Sequence, residues 1–373
     1  MKIAALQNLS AFSLLESPTR VKDLLTTAKK RNYGAVALTD INVTYGLVNF
    51  FELAKEVGIK ALLGMQIRIN GLIDPTSKYD LIAIAKSNAG YHNLLRLSSA
   101  INLLTDNGDN NKILTLKELT KYLDEMVIIV PANQHSELVM LSQRNDQLGA
   151  DFVRELKEIV PATSQLYLGV YASKNQNNYI DYIQSLAKQF ALPLVATEDC
   201  QYLNPQDHFL RKTLQAIKQG DKLQDIVPLS KQTGSHYLAE GEELLSRYHD
   251  FYLDQALNNT WKIAEECNAE VIFQKPVLPK YHQDKFASSK EYLLYLAQNG
   301  LKARFKGKNV PEAYQKRLRY ELDVINRMGF DDYFLIVWDV INYCHRVGIT
   351  TGPGRGSACG SLVSYALRIT EVD

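Results

Sequence analysis

The chain alternates short apolar runs with longer segments whose apolar residues recur every three to four positions. The short runs are rich in Val, Ile, Leu and Ala and have the length of buried strands. Six of them are predicted to be strands: Ala35–Thr39, Lys60–Ile69, Leu81–Ala85, Met126–Pro131, Gln165–Tyr171 and Leu192–Thr197. Four segments between them have helical periodicity: Leu47–Val57, Tyr91–Leu104, Asn145–Ile159 and Ile180–Phe190. This alternation predicts βα units around a parallel sheet, open or closed.

A proline-containing stretch, Gln274–His282, is the predicted boundary between two domains. After it the pattern becomes helical, over Ser288–Phe305 and Pro311–Arg327. A chain of 373 residues is long enough for two domains. We therefore expect one domain over residues 1–270 and a second over residues 271–373.

Composition excludes several classes of protein. The 46% of hydrophobic residues can fill substantial cores, but no apolar run is long enough to span a membrane. Polar residues interrupt the amino-terminal segment, so we expect no signal peptide there. The four cysteines form no C-x-x-C pair, which argues against a zinc site or a disulfide framework and favours a reducing, cytoplasmic location. They are Cys200, Cys267, Cys344 and Cys359.

The 42 basic and 41 acidic residues give a net charge of +1, which indicates no particular partner. Two local basic clusters stand out, Lys302-Arg304-Lys306-Lys308 and Lys316-Arg317-Arg319. Basic clusters of this size occur at solvated helix ends and at surfaces that contact DNA. The sequence alone leaves both interpretations of these clusters open.

The most informative segment is Gly-rich and runs from Gly352 to Ser361. It leads directly into a helix-like run, Leu362–Leu367. Glycines let a backbone approach an anion closely, and a following helix offers free N–H groups at its positive end. Arg355 adds a bidentate cation, and serines add hydroxyl donors. The pattern predicts a phosphate cradle, although it lacks the spacing of a P-loop, a dinucleotide fingerprint or a nucleophile elbow.

Several segments of the chain resemble a known protein family, which makes the predicted function more specific. Gly352–Asp373 resembles the GPGRGS…GSLVAYAL…ITD-x-D block of family C, the DNA polymerase III alpha subunits of bacterial replication. Tyr320–Val337 resembles the E-L-x-V-I-x-x-M-G-F-x-x-Y-F-L-I-V run of the same family. Near the amino terminus, the segments Phe12–Ser17 and Ala37–Asp40 are similar to its PHP (polymerase and histidinol phosphatase) domain. The resemblance therefore extends over the whole chain.

The resemblance implies a fold as well as an activity. It implies an α/β protein, in which a PHP-type distorted (β/α)7 barrel is followed by the mostly helical beginning of a nucleotidyltransferase palm. The full-length protein would be a DNA-directed DNA polymerase that requires Mg²⁺. Its partners would be primer-template DNA, the incoming dNTP and replisome subunits such as the sliding clamp, without a membrane. Catalytic carboxylates of this family lie downstream of the Gly-Ser block, so residues 1–373 alone are expected to be inactive in DNA synthesis.

An active PHP domain holds several metal ions with His, Asp and Glu side chains. Carried over one position at a time, that metal site retains only Asp40 and Asp199, with Asp80 as a possible substitute. The remaining positions hold residues that ligate metals poorly or not at all: Gln7, Leu9, Ile41, Gln66, Gln201 and Arg211. The resemblance thus implies a metal-free scaffold without cofactor in this chain. Arg211 is expected to replace the metal charge by pairing with Asp40 or Asp199.

The same resemblance gives the cradle a role in binding the triphosphate of the incoming nucleotide. The residues expected to contact or shape that site are Gly354, Arg355, Gly356, Ser357, Gly360 and Ser361. Two other functions remain open. One is a metal-dependent phosphoesterase or proofreading exonuclease in the PHP domain, and the other is a noncatalytic module that docks replisome proteins.

Overall fold

The computed structural model describes residues 2–103, 114–144, 146–173, 176–222, 233–274 and 277–373. The chain divides between Ile272 and Phe273 into two compact units. The predicted helix ends at Leu104 and Asn145, and Pro276 of the predicted boundary, lie outside the described residues. Among the residues described, no helix is both long and apolar enough to cross a membrane.

The first unit is built on a mixed seven-stranded sheet whose strands are ordered β1 to β7 as they occur in the chain. All six predicted strands are present, and a seventh, two-residue strand precedes them. The strands are β1 (Ala4–Ala5), β2 (Ala35–Leu38), β3 (Lys60–Asn70), β4 (Lys78–Ala85), β5 (Met126–Val130), β6 (Gln165–Val170) and β7 (Leu194–Ala196).

The prediction of a wholly parallel sheet was wrong for β4. This strand pairs antiparallel with both β3 and β5, whereas the other neighbouring strands are parallel. The reason is the connection before it. Residues 71–77 form a tight turn, in which the Gly71 N–H donates to the Ser77 carbonyl at 2.9 Å. Such a connection is too short for a crossover and therefore reverses the chain.

The sheet curls so that its two edges meet at their carboxyl ends. Asn8, just after β1, forms a parallel bridge with Cys200, which follows β7. The Leu9 N–H donates to the Cys200 carbonyl, and the Cys200 N–H donates to the Gln7 carbonyl, both at 2.9 Å. The result is a distorted α/β barrel, as the PHP resemblance implied.

Helices pack around this sheet and bury its apolar faces. Leu47–Val57 was predicted to the residue, whereas the helix Val21–Lys30 was not predicted. The helices of the first unit are α1 (Val21–Lys30), α2 (Leu47–Val57), α3 (Asn88–Leu103), α4 (Leu116–Leu119), α5 (Glu137–Leu141), α6 (Asp146–Ile159), α7 (Asn177–Phe190), α8 (His208–Gln219), α9 (Gly241–Asp250) and α10 (Asp254–Glu266).

The second unit is helical, as predicted. All four of its helices contribute to one small core. The buried residues of this core include Leu293, Leu301, Leu318, Ile325, Leu335 and Val363. The helices are α11 (Ser289–Arg304), α12 (Glu312–Met328), α13 (Asp331–Val347) and α14 (Leu362–Ala366).

Candidate functional site

The carboxyl end of the barrel gathers most of the positions that the PHP resemblance singled out. Gln7 and Leu9 follow β1, Asp40 and Ile41 follow β2, and Asp199 and Gln201 follow β7. Gln66 lies within β3 and pairs with β4, where the antiparallel direction brings Asp80 to the same end of the barrel. In barrels of this type, functional residues cluster at this end. Position alone therefore makes this the candidate site of the first unit.

Amide side chains link the two sides of this cluster. The Gln7 Nε2 donates to Gln66 Oε1 at 3.1 Å and lies 3.2 Å from Asp199 Oδ1. The Gln66 Nε2 donates in turn to Asp80 Oδ2 at 2.8 Å. All four side chains are buried, so these hydrogen bonds replace contacts with water. The amides stand between the carboxylates, where a metal ion would otherwise offset their charge.

Arg68 neutralises the charge of Asp80. Its Nε lies 2.9 Å from Asp80 Oδ1, and its second terminal nitrogen lies 3.1 Å from Oδ2. This is the bidentate geometry that guanidinium and carboxylate groups favour. Asp80 has no exposed side-chain surface, whereas Arg68 is one quarter exposed. A buried carboxylate is therefore matched by a cation from the adjacent strand.

Asp199 has two other donors. The Gln201 Nε2 donates to Oδ2 at 2.9 Å, and His236 Nδ1 lies 3.2 Å from the same oxygen. Burial raises the pKa of Asp199, but the hydrogen bond and charge of His236, the hydrogen bond from Gln201 and the charge of His135 together outweigh burial. The pKa of Asp199 is accordingly lowered from its ordinary value, and the carboxylate is ionised at neutral pH.

Asp40 is enclosed by serines. The Ser10 N–H and the Ser13 hydroxyl donate to Oδ1 at 2.7 and 2.6 Å, and the Ser10 hydroxyl donates to Oδ2 at 2.7 Å. Burial raises the pKa of Asp40, and the bonds from Ser13 and Ser10 offset only part of that rise. No cation within the described residues forms an ion pair with this carboxylate.

Arg211 does not have its predicted partner. Its terminal nitrogens lie 3.0 and 3.1 Å from the side-chain amide of Gln215, one turn further along α8. Within the described part of the chain it forms no ion pair with Asp40 or Asp199. That prediction was wrong because His236 and the serines already satisfy those carboxylates. The arginine that pairs with a carboxylate of this cluster is instead Arg68, on Asp80.

The residues present do not fit the multinuclear metal site of an active PHP domain. Among the described residues, no group of three or more His, Cys, Asp or Glu side chains could hold an ion. Leu9 and Ile41 have no ligating atom, and the oxygens of the carboxylates already accept from amides, serines or cations. The side-chain oxygens of Gln7 and Gln201 are buried without a described donor. Two neutral acceptors cannot balance several dications.

Sequence reasoning missed four residues of this site. Arg68 could have been found, because strand periodicity places it on the same face as Gln66. Ser10 and Ser13 are close in sequence to Gln7, but a serine there carries no specific signal. His236 is far along the chain, and no spacing connects it to Asp199.

The second unit contains the Gly-rich loop. Residues 352–361 connect α13 to α14, and Gly356–Gly360 within them form a 3₁₀ turn. Gly356 has φ +54°, a left-handed conformation that disfavours residues with a side chain. A Cβ on Gly354 would lie 2.4 Å from Cys359 Sγ. Both glycines are therefore required by the shape of the loop.

Arg355 and Ser357 are the side chains of this loop that could bind an anion. Both are exposed to solvent. Neither side chain forms a hydrogen bond or an ion pair within the described residues. An unpaired guanidinium and a hydroxyl next to a left-handed glycine are suitable groups for an anion.

The start of α14 differs from the prediction of free N–H groups. Glu321, on α12, accepts from the Val363 N–H and from the Ser361 hydroxyl, each at 3.0 Å. The Ser361 hydroxyl also accepts from the Ser364 N–H at 3.2 Å. A carboxylate thus already occupies the positive end of this short helix. Anion binding in the loop would depend on the residues before Ser361.

Glu321 is held firmly in that position. Its other oxygen lies 2.6 Å from the Nε of Arg317, four residues earlier on α12. Burial raises the pKa of Glu321, but the Val363 N–H and the side chains of Arg317 and Ser361 outweigh it, so this pKa is lowered. Glu321, Arg317, Gly360 and Ser361 line a cavity of about 450 Å³. The end of the Gly-rich loop is therefore part of a cavity wall.

Two family models match the chain. Residues 6–173 match the model of the PHP domain, and residues 291–373 match that of the bacterial DNA polymerase III alpha NTPase domain. A solved amidohydrolase from Chromobacterium violaceum aligns with 53% of this chain and 87% of its own, at 11% identity and a TM-score of 0.40.

Curated relatives align over the whole chain. The DNA polymerase III subunit alpha of Halalkalibacterium halodurans is 35% identical over 365 residues, which are 98% of this chain and 32% of that protein. That of Bacillus subtilis is 35% identical over 373 residues, 100% of this chain and 32% of the relative. The chain thus spans about a third of the length of these relatives. It carries a PHP domain and a segment of the polymerase NTPase domain, and it is a homologue of that third of the DNA polymerase III alpha subunits.

Proposed function

We propose that this chain forms part of a bacterial replicative DNA polymerase of family C and that its Gly-rich loop binds the triphosphate of the incoming nucleotide. The observation that carries the proposal is the loop itself, in which exposed, unpaired Arg355 stands beside left-handed Gly356. A guanidinium donates two parallel hydrogen bonds to phosphate oxygens. The backbone at Gly354 and Gly356 and the Ser357 hydroxyl complete the set of donors.

Gly360 and Ser361 have a different role in this proposal. Because the Ser361 hydroxyl bonds to Glu321, it anchors the end of the loop instead of reaching the phosphate. Mg²⁺ would supply charge neutralisation of the triphosphate in the longer protein. In the family C resemblance, the carboxylates that would hold this ion follow the Gly-Ser block.

A fluorescent dNTP titrated into the protein tests the cradle. Each charge-assisted hydrogen bond to phosphate contributes about 1.5–3 kcal/mol, so Arg355→Ala should weaken binding by roughly one to two orders of magnitude. Arg327→Ala is the matched control, because Arg327 is an exposed arginine of the same unit that pairs with Asp323. Equal affinity of the Arg355→Ala variant and the unaltered protein would overturn the assignment.

We also infer that the PHP barrel is a metal-free scaffold. The support is the set of internal hydrogen bonds that satisfies Asp40, Asp80 and Asp199 with serines, Arg68, His236 and amides. Elemental analysis of tag-free protein, grown with zinc and manganese, should find well below one equivalent of metal. Two or three equivalents, with a phosphoesterase activity that a chelator abolishes, would instead identify the barrel as an enzyme.

The longer protein would act in the cytoplasm on primer-template DNA and dNTPs. Replisome subunits such as the sliding clamp would be its protein partners. These assignments follow from the relatives' name together with the two matched domains.

A further inference from the structure

The two units differ in charge, although the chain as a whole is nearly neutral. Residues 273–373 contain 15 Lys and Arg against 10 Asp and Glu, a formal charge of +5. Residues 1–272 contain 27 and 31, a charge of −4. An excess of positive charge confined to one part of a chain indicates contact with a polyanion.

The structure separates the cations of the basic clusters into paired and unpaired ones. On α12, Lys316 pairs with Glu312 and Arg317 pairs with Glu321. Arg319 forms no ion pair within the described residues. In the other cluster, Arg304 bonds to the carbonyls of Tyr365 and Thr370 and pairs with Glu371. The side chains of Lys302, Lys306 and Lys308 form no ion pair within the described residues.

Three of the unpaired cations line one cavity. It lies between the end of α11, the connection to α12 and α12 itself, and it has a volume of about 570 Å³. Lys302, Lys308 and Arg319 contribute to its wall, together with the amide side chains of Gln298, Asn309 and Gln315. Its lining contains no carboxylate and no aromatic ring. The Gln315 amide donates to the Val310 carbonyl at 2.9 Å, which fixes the connection to its helix.

The ordinary explanation of these cations is the end of α11, whose carbonyls carry a partial negative charge. That charge amounts to about half an elementary charge, which is less than three cations can offset. A surplus of positive charge consequently remains in the cavity.

We propose that Lys302, Lys308 and Arg319 bind the phosphate backbone of duplex DNA. Cations and amides suit phosphate oxygens, and contacts of this kind position a duplex without reading its sequence. The absence of an aromatic ring from the lining argues against a stacking platform for single-stranded bases. The inference rests on the proposed function only for the identity of the polyanion as DNA. It does not depend on the triphosphate cradle.

The test measures binding of a fluorescent 20-base-pair duplex to the 373-residue chain by anisotropy at several salt concentrations. Each lost phosphate contact reduces the slope of log K against log salt by about 0.9. The variant K302A/K308A/R319A should lower that slope by about 2 to 3 and weaken binding about tenfold or more at 50 mM salt. Inorganic pyrophosphate at about 1 mM should compete only weakly.

A charge-matched control separates a site from net charge. K280A/K285A/K290A removes the same charge from exposed lysines of the same unit that lie outside this cavity. It should retain most of the affinity and the slope. Equal losses in both triple variants, no loss in the first, or displacement of the duplex by 1 mM pyrophosphate would each overturn the proposal.

Binding measurements on the cavity variant and on Arg355→Ala distinguish this proposal from the triphosphate cradle. The cavity variant should bind a fluorescent dNTP as the unaltered protein does, and Arg355→Ala should bind the duplex normally. Failure of one assignment therefore leaves a separate result for the other. A circular dichroism melt of each variant should match that of the unaltered protein, because all the altered side chains are exposed.

Discussion

The side-chain amide of Gln66 donates a hydrogen bond of 2.8 Å to the buried carboxylate of Asp80. This contact determines which side chains can replace Gln66 at the carboxyl end of the barrel. A glutamate at the same position would place two carboxylates in contact. The Gln66 amide instead gives the Asp80 carboxylate a neutral hydrogen-bond donor.

Gln66→Glu should therefore destabilise the first unit at pH 7 by about 2–4 kcal/mol, because it loses a donor and adds an unpaired buried charge. Part of that loss should return at lower pH, where the introduced carboxyl takes up a proton and can donate to Asp80. Urea unfolding followed by the fluorescence of Trp261, in a Trp338→Phe background, measures it. Gln184→Glu, on the exposed face of α7, is the control and should change stability by less than about 0.5 kcal/mol. Undiminished stability of the Gln66→Glu protein would contradict the scaffold interpretation.

His236 should determine the acid stability of the barrel. The folded-state pKa of Asp199 is lowered, so its stabilising contribution is complete above the unfolded pKa of about 4 and is lost as pH falls through the folded value. His236→Ala removes the largest opposing effect to burial, so the pKa of Asp199 should rise and acid unfolding should begin at higher pH. His249→Ala is the control, since that histidine pairs with Asp254 at the surface. Superimposable acid transitions of the His236→Ala and unaltered proteins would rule out this role.

Glu321 should stabilise the second unit. In Glu321→Gln, one carboxylate oxygen becomes an amide nitrogen. Either the Val363 N–H and the Ser361 hydroxyl, which share one oxygen, or the exposed Arg317 guanidinium on the other oxygen therefore lose their acceptor. We expect a loss of about 1–3 kcal/mol, measured through Trp338 in a Trp261→Phe background. Glu312→Gln on the same helix breaks only an exposed pair with Lys316 and should cost less than about 1 kcal/mol. A smaller effect at Glu321 than at Glu312 would contradict the assignment.

Gly356 and Gly352 offer a matched pair within one loop. A Cβ at either position meets no atom within 4 Å, but only Gly356 has a positive φ. Gly356→Ala should therefore cost about 1 kcal/mol and weaken dNTP binding by distorting the backbone beside Arg355. Gly352→Ala should leave stability unchanged. Isothermal titration with dATP and thermal melts would check both, and equal behaviour of the two variants would show that conformation at Gly356 is unimportant.

Hydrophobic periodicity predicted the existence of most elements, because buried strands and amphipathic helices are encoded locally. The orientation of β4 was not predicted, although the Asp74-Pro75 pair in the preceding turn was a usable signal for a reversal. Ala4–Ala5 is too short to produce any pattern. Its place in the sheet depends on pairing with β2, which only the folded chain provides.

The sequence predicted which residues lie near one another at the candidate sites better than it predicted their hydrogen-bond and ion-pair partners. Gln7, Gln66 and Asp199 do come together, as the resemblance implied. Arg211 could not be placed, because a long flexible side chain pairs with whichever group is nearest and unsatisfied. The contact between Glu321 and Ser361 was not predicted either, because the two residues are 40 positions apart in the sequence. Only the packing of α12 against α14 brings them into contact.

The closure of the barrel also has a consequence for biosynthesis. Gln7 and Asp199 lie 192 residues apart, yet they bond directly across the site. At roughly 5–20 residues per second, a ribosome needs about 10–40 s to make the chain between them. During that interval the nascent β1 segment and its buried polar residues have no partner from the far edge. The growing chain must therefore carry an open sheet edge, the kind of surface that chaperones bind, until β7 emerges from the exit tunnel.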